Sequence, residues 1–468
     1  MRKAARSEFL LDDADDVRLP VSILVHAPSY GAASFLTSFF ALLAFYLEIN
    51  WIGAVLLFTA IAVIPGLAIT DKIVFDGRRL IRTGVAPVFW FKLHGLRSSL
   101  KLRNIEQVDT ITSGSLRRGG RVRFLYRTTI FGNGPRMTFS GSGMRYRRMV
   151  RALFGRLDAS VLDIRSFELQ KYVAEPREAI RIADELQIPA SDVLEGTIRS
   201  TAAKKSEKAE DLDSRLSDAS KAAVLRNAAN RLRTSGVLVR AIEAFRRALR
   251  LDPRHPWLLF EFARCLHLYA FVSRDKVMEH RAAAALRLAE KRACGDTELL
   301  ERIAETYVQF GYSRRAANAY QLVVDRISDC FRSLIGLAEL ALDDGKLAHV
   351  VHNFSAANRI ASTAALRRWT DAEAQYFSKL SENDEYMELE ISRLNLLEKL
   401  DRWQRAAFRA AIYTFPVIAF GYLFDMLIVA DAGWLVSSVG LVSWAIMNIG
   451  LKMLSPRIPY ELVERDQQ

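Results

Sequence analysis

The chain has 468 residues, enough for two or three domains with cores of their own, and half of its residues are hydrophobic. It contains three cysteines, an odd number without the spacing of metal ligands, which favours reduced thiols over a disulfide framework. The net charge is +13, yet the stretch from Lys72 to Leu157 alone holds 19 basic and 3 acidic residues, so the basicity belongs to one region.

The first apolar segments predict a membrane hairpin. Gly31–Leu47 and Trp51–Thr70 are uncharged, and each approaches the roughly 20 residues that a helix needs to cross a bilayer. The N-terminal segment, residues 1–30, carries Asp12, Asp13, Asp15 and Asp16 and lacks the short basic region followed by a cleavage site that a secretory signal needs. We therefore expect a retained transmembrane hairpin over residues 31–70, preceded by a cytoplasmic segment.

The basic region, residues 72–157, changes to short runs of β-type residues. Strands are predicted over Ile73–Phe75, Leu80–Arg82, Ile105–Ile111, Val122–Ile130 and Arg136–Phe139, followed by an amphipathic helix over Met144–Leu157. Several strands capped by one helix, directly after a two-span hairpin, resemble the bacterial pleckstrin-homology-like domains. The opening Lys72–Arg82, the strand Ile105–Val108 and the closing helix carry this resemblance. It implies a small antiparallel β domain with one capping helix, in which Val88–Leu100 is an insertion.

The charge of this domain predicts a polyanionic partner. Cations held at a bilayer surface attract anionic headgroups. Arginines interleaved with aromatic residues over Arg121–Arg127 also resemble a nucleic-acid surface, but the membrane tether favours anionic lipid and makes nucleic acid the disfavoured partner. A third interpretation, that the cations only enforce topology and solubility, stays open. The predicted lipid-facing basic residues are Arg78, Arg79, Arg82, Arg117, Arg118, Arg121, Arg145, Arg147, Arg148 and Arg151.

Residues 158–220 predict a connector, whose part Thr201–Ser220 is a charged, solvated linker or exposed helix, and a repeat pattern follows. Ala241, Phe245, Ala248 and Pro253 stand at the A-x3-F-x2-A-x4-P spacing of the tetratricopeptide repeat. Small and large residues at offsets of three and four share one helix face, which lets two helices pack closely.

The pattern recurs in units that begin at residues 222, 256, 297 and 331, so the separations are 34, 41 and 34 residues. One insertion of about seven residues explains the single departure from a 34-residue repeat. The array resembles tetratricopeptide repeat (TPR) proteins, which implies an α-helical solenoid over residues 221–380 with Ala364–Leu380 as its capping helix. Stacked repeats form an extended concave surface that binds partners.

In the tetratricopeptide family, residues of the first helix of each repeat line the groove. The corresponding protein-binding positions here are Arg226, Asn230, Arg233, Trp257, Phe260, Arg264, His267, Glu298, Glu301, Glu305, Ile335 and Glu339. Arg226 and Asn230 match the start of the family's carboxylate clamp, but Glu261 and Glu298 stand where Asn and Lys are expected. The resemblance therefore implies a mixed-charge peptide or helix as partner. The groove positions also form a charge gradient, from Arg226 and Arg233 in the first repeat to Glu298, Glu301 and Glu305 in the third, which predicts that the partner's acidic end lies at the first repeat.

A second transmembrane hairpin is predicted over residues 410–451, after a helix over 381–409 that leads to the membrane and before a tail over 452–468. Its joint is placed at Asp431–Gly433. Cations flank the outer ends of both hairpins and neither tip carries one, which places both termini and the soluble domains in the cytoplasm. In a bacterium this would be the inner membrane.

Asp425 and Asn448 are the polar candidates within the predicted spans. An intramembrane carboxylate is costly and therefore a functional candidate. The simpler interpretation is that Asp425 reaches the interface or forms a hydrogen bond with Asn448 or Ser438.

The sequence thus predicts a multi-domain membrane protein with a TPR solenoid, a small antiparallel β domain and four transmembrane helices. It contains no nucleotide-binding glycine motif and no nucleophile elbow, and His349 with His352 has no convincing further metal ligand, so we expect no enzymatic activity and no cofactor. The leading hypothesis is a membrane-anchored adaptor or scaffold that recruits a protein partner. The alternative is a non-catalytic subunit of a membrane transport or envelope-assembly complex. The sequence leaves the oligomeric state undetermined.

Overall fold

The computed structural model describes residues 19–25, 28–93, 98–116, 122–189, 218–293, 295–327 and 329–461. These residues are mostly helical, with two small antiparallel sheets. Two compact units are present: residues 1–26 with 69–371, and residues 27–68 with 372–468. Both units are assembled from stretches of chain that are distant in sequence.

The second unit contains the helices long and apolar enough to cross a membrane, of which there are four in the described part of the chain. They are α1 (Pro28–Tyr46), α2 (Asn50–Thr70, with a π-helical turn over Thr59–Val63), α16 (Asp384–Tyr413) continued by α17 (Phe415–Leu423), and α18 (Leu427–Leu454). Only 11% to 17% of each apolar stretch is buried, so most apolar side chains point outward. Such a surface suits a bilayer, and the prediction of four helices able to span one is confirmed by their length and composition.

Aromatic residues hold the two helical hairpins of this unit together, and a small residue lets the two helices of the second hairpin pack closely. Trp434 of α18 lies against Phe39 and Tyr46 of α1, with ring centroids 5.2 and 5.7 Å apart. A side chain at Gly421 of α17 would lie 2.7 Å from the backbone nitrogen of Ala430, so the two backbones approach closely. Small residues allow this kind of packing between helices in a membrane, where water supplies no hydrophobic drive.

The second hairpin turns earlier than the sequence predicted. Its turn comprises residues 424–426, between α17 and α18, and Asp425 has a positive φ of 54° there. The predicted joint at Asp431–Gly433 is therefore wrong, because Asp431 lies inside α18. The prediction placed the turn at Asp431 because a long uncharged run follows it. The turn instead lies at Asp425, a residue type that tolerates the left-handed conformation.

The described residues of the β domain form seven strands. They are β1 (Val21–Leu24), β2 (Lys72–Phe75), β3 (Arg79–Thr83), β4 (Ser99–Lys101), β5 (Ile105–Leu116), β6 (Val122–Gly132) and β7 (Met137–Gly141). One sheet has the order β1-β2-β3-β4 and the other β5-β6-β7, and all neighbours are antiparallel. Helix α3 (Val85–Leu93) lies between β3 and β4, and α4 (Met144–Phe154) follows β7.

The strand β1 comes before the first hairpin in the chain and pairs with β2, which comes after it. Val21 lies opposite Phe75 and Leu24 opposite Lys72. The hairpin is thus inserted between two adjacent strands of one sheet. The sequence prediction assigned residues 1–30 to a separate N-terminal segment, because a four-residue strand has no local signal of a partner beyond two spans.

In the described part of the first unit, eight helices form four hairpins, and α15 follows them. The pairs are α7 (Asp218–Thr234) with α8 (Leu238–Leu251), α9 (Pro256–Ser273) with α10 (Lys276–Arg292), α11 (Thr297–Gln309) with α12 (Ser313–Arg326), and α13 (Phe331–Asp343) with α14 (Leu347–Ile360). Helix α15 spans Ala364–Glu382. Ala241, Phe245 and Ala248 of α8 are fully buried, as close helix packing requires. Among these four pairs, α9 and α10 are the longest helices together. The roughly seven residues inserted in this repeat therefore lengthen its helices and not a loop.

Two short helices follow α4 and join the β domain to these hairpins. They are α5 (Ile164–Tyr172) and α6 (Pro176–Glu185). Helix α5 contacts α4, β5, α7 and α11, and α6 packs on α7. The predicted charged linker over residues 201–220 lies outside the described residues except for its last three, which begin α7.

Candidate protein-binding groove

Helix α5 packs against the first helices of the first three hairpins, the face on which the sequence placed a partner. Its start is fixed by Asp163, whose carboxylate accepts hydrogen bonds from the backbone N–H of Ser166 at 2.9 Å and of Thr110 in β5 at 3.3 Å. The first bond caps the helix and the second ties it to the β domain. Burial raises the pKa of Asp163 to about 6, although hydrogen bonds from Ser166 oppose that rise.

Glu168 of α5 lies between two arginines of the predicted groove. Its carboxylate is 2.7 Å from Arg233 of α7 and 3.0 Å from Arg264 of α9, and both arginine side chains are at most 7% exposed. Burial by itself would raise the pKa of Glu168, but the two guanidinium groups outweigh it and lower the pKa. Glu168 is therefore an internal counter-ion for charges that were predicted to face a ligand.

Glu261 of α9 forms a second cluster at the same face. It accepts hydrogen bonds from Arg226 at 2.6 and 2.7 Å, from Asn230 at 2.8 Å and from the hydroxyl of Tyr172 at 3.0 Å. Tyr172 is the last residue of α5. Glu261, which stands where the carboxylate clamp of tetratricopeptide proteins has Asn, thus accepts the hydrogen bonds of Arg226 and Asn230 within the chain.

A third cluster involves Arg332, which the sequence did not single out. Its guanidinium donates to the Glu305 carboxylate at 2.6 Å and to backbone carbonyls that include that of Ser160 at 3.3 Å, just before α5. Arg302 of α11 binds the other oxygen of Glu305 at 3.1 Å and lies 4.1 Å from the ring centre of Phe167 in α5. Cations stacked on an aromatic face are held by its quadrupole.

The other predicted groove residues divide between buried and exposed positions. Phe260 and Ile335 are buried, and His267 is stacked on Phe310 with ring centres 3.7 Å apart. The indole N–H of Trp257 donates to Asp296 at 2.6 Å, and Glu301 accepts from Ser333 at 3.2 Å. Glu298 and Glu339 are exposed.

A cleft of about 180 Å³ stays open beside α5. Phe167 and Lys171 of α5 line one side, and the other side includes Trp257, Glu298 and Arg302. The Lys171 ammonium lies 4.3 Å from the ring centre of Phe167 and 5.9 Å from that of Trp257. The cleft is large enough for one or two side chains, and it offers an aromatic wall between an acid and cations.

The basic residues of the β domain are not equivalent. Arg82 forms a bidentate pair with the buried Asp71 at 2.6 and 2.9 Å, and Arg151 donates to the carbonyl of Val173 at 3.1 Å. Burial lowers the pKa of Arg147. Arg78, Arg79, Arg145 and Arg148 are exposed, Arg79 with Asp76 at 2.9 Å, whereas Arg117, Arg118 and Arg121 lie outside the described residues.

The structure separates Asp425 from Asn448, so the hydrogen bond considered between them is wrong, whereas the interpretation that Asp425 reaches the interface stays a prediction. Asp425 lies exposed in the hairpin turn, and Asn448 lies 21 residues beyond the first residue of α18, about 30 Å away along the helix axis. The acid within the span is Asp431, which accepts a hydrogen bond from the Tyr46 hydroxyl of α1. A search for polar residues that could pair between the two predicted hairpins would have identified Tyr46 as a possible partner of Asp431.

No family model matches the sequence, and no characterised protein matches it either. Among the described residues, no three His, Cys, Asp or Glu side chains are grouped as a metal ion would require.

Proposed function

We propose that this protein is a membrane-anchored adaptor in which tetratricopeptide-type hairpins recruit a protein partner while a basic pleckstrin-homology-like domain lies against anionic lipid. The repeat proposal is supported by helices α9, α11 and α13, which begin at residues 256, 297 and 331 as the repeat pattern predicts. The lipid proposal is supported by exposed Arg78, Arg145 and Arg148 in a domain joined directly to a spanning helix.

The cleft beside α5 is the observation that carries the partner proposal. Arg226 and Arg233 already bind Glu261 and Glu168, so the charge gradient predicted to orient a ligand is neutralised inside the chain. Lys171 and Glu298 border the cleft and both are exposed. A peptide that inserts an apolar side chain against Trp257 and pairs its own charges with these two fits the opening, since aromatic anchors dominate binding energy.

A cross-linking experiment in cells tests this proposal. A photo-reactive amino acid at Lys171 or Glu298 should capture a discrete partner, because both positions border the cleft. The same amino acid at Val277, which is 61% exposed and does not border the cleft, is the matched control. Reversing the charge at Arg226 and Arg233 would instead break buried ion pairs, so a loss of partner capture could then come from unfolding as well as from a lost contact. Identical adducts at all three positions, or none at Lys171 and Glu298, would contradict the proposal.

One observation favours the alternative of a subunit in a transport or envelope-assembly complex. Leu389, Leu396 and Trp403 are exposed on α16 and recur every seven residues, so they share one side of the helix. Such a line fits a helix of another subunit. Under this alternative, a cross-linker at Leu396 captures another membrane protein, and the chain co-purifies with that protein in detergent instead of being stable alone.

A further inference from the structure

Helix α3 carries an apolar face that no other part of the described chain covers. Val85, Val88 and Phe89 are 63%, 50% and 68% exposed, and Lys92 is exposed too. These positions have the spacing i, i+3, i+4 and i+7, which places them on one side of the helix. Pro87, on the opposite side, is buried in the domain. The pattern is inverted relative to an ordinary surface helix, whose apolar side faces the core.

The start of α3 lies at the end of a spanning helix. Gly84, with a φ of +138°, immediately precedes α3, and a Cβ atom there would lie 2.9 Å from the carbonyl oxygen of Thr70, the last residue of α2. The bidentate pair between Arg82 and Asp71 holds the same two segments together. Because nine helical residues extend only about 13 Å, the whole of α3 stays near the point where α2 leaves the apolar layer.

We propose that α3 is an interfacial helix, immersed by its Val85, Val88 and Phe89 face at the boundary between headgroups and acyl chains of the bilayer that α2 crosses. Lys92 on the same face extends its ammonium toward the phosphates while its methylene groups stay in the apolar layer. An apolar helix at this depth meets lipid before it meets a soluble partner, and interfacial helices bind through this kind of buried apolar side. The inference holds whether or not the cleft beside α5 recruits a protein.

A polarity-sensitive fluorophore on single cysteines tests the immersion in the full chain. Val85→Cys and Phe89→Cys report on α3, and Val277→Cys on α10 is the matched control, because Val277 is 61% exposed and Val85 63%. Cys294 and Cys330 are replaced by Ser. Cys265 stays, because burial raises the pKa of its thiol to about 12 and keeps it from reacting.

The protein is reconstituted in phosphatidylcholine vesicles with and without dibrominated acyl chains. We expect blue-shifted emission at positions 85 and 89 and at least a twofold loss of intensity with brominated lipid, and neither effect at position 277. Water-like emission at both α3 positions would overturn the proposal. Blue-shifted emission without quenching would overturn it as well, because it would mean that protein and not lipid covers the helix.

Discussion

At the residue scale, the face predicted to bind a partner is held by charges that the chain supplies to itself. Glu168 binds Arg233 and Arg264, and Glu261 binds Arg226. A buried ion pair contributes little net stability compared with an apolar substitute, but removal of one partner leaves an uncompensated buried charge. We therefore expect that loss of either acid, Glu168 or Glu261, lowers the stability of the fold strongly.

Replacement of Glu168 by Gln should lower the free energy of unfolding by about 3 kcal/mol, because two buried guanidinium groups lose their shared carboxylate. In a unit of this size we expect an apparent melting temperature about 4 °C lower in detergent. Glu185→Gln is the control, since Glu185 is 66% exposed in a surface pair with Arg181 and its loss should change stability by less than about 0.5 kcal/mol. Equal effects of the two substitutions would contradict the assigned role of Glu168.

The cap of α5 predicts a pH dependence. The pKa of Asp163 is raised from 3.8 to about 6, so the folded chain holds this proton more tightly than the unfolded chain. Its stabilising contribution is complete below about pH 4 and is lost as pH rises to about 6. Relative to Asp163→Asn, the wild type should lose up to about 3 kcal/mol of stability across this range, measured as the difference between their melting temperatures at each pH. A difference that is constant from pH 4 to pH 7 would contradict the raised pKa.

At the scale of elements, regular periodicity predicted the positions of strands, whereas the packing partners of isolated short segments were not predicted. The predicted strands that begin at Ile73, Leu80, Ile105 and Val122 lie within β2, β3, β5 and β6, because alternation and turn residues act locally. The docking of α5 was missed, since nine residues carry no signal of which distant helices they will meet. Asp431 was taken for a turn residue for a related reason: its partner Tyr46 lies on another hairpin.

The turn between α7 and α8 joins the hairpins to the β domain through a glycine. Gly236 has a φ of +85°, its carbonyl accepts a hydrogen bond from the N–H of Val122 at 2.9 Å, and a Cβ atom there would lie 2.0 Å from the carbonyl oxygen of Val122. Gly345, in the corresponding turn of the fourth hairpin, has a φ of +72° with nothing within 4 Å of its Cβ position. The two positions share the backbone conformation and differ in the contact.

Gly345→Ala should therefore cost about 1–2 kcal/mol, the strain of the left-handed conformation alone. Gly236→Ala should cost clearly more, because the contact with β6 must also open. Limited proteolysis between β6 and α7 should accelerate only in the second variant. Equal melting temperatures for the two variants would mean that the contact with Val122 does not hold these elements together.

At the scale of the whole molecule, each spanning hairpin is closed at its base by contacts between the segments that enter and leave it. Strands β1 and β2 close the first. In the second, Arg457 binds Glu373 at 2.9 and 3.0 Å, and the Tyr386 hydroxyl donates to the carbonyl of Ile458 at 2.7 Å. A hairpin closed in this way begins and ends on one side of a bilayer, which agrees with the predicted even number of spans.

Reporter fusions test the proposed cytoplasmic placement of the termini and soluble domains. A reporter after Gln468 or inserted between Thr201 and Ser220 should report a cytoplasmic location, because cations flank those sides of the hairpins. One at Asn50 or at Asp425, the turn of the second hairpin, should report the opposite side. A periplasmic signal from the 201–220 insertion would reverse the orientation.

The position of β1 has a consequence for biogenesis. During synthesis β1 emerges before both spans of the first hairpin, and β2 only after them, so the sheet cannot close until the hairpin is complete. A chain that inserted one span alone would leave the two strands on opposite sides of the bilayer. Strand β2 would then expose an unpaired edge, with Ile73 and Phe75 beside it, of the kind that promotes aggregation and recognition by quality control. Closure of this sheet therefore requires that both spans of the first hairpin are in place.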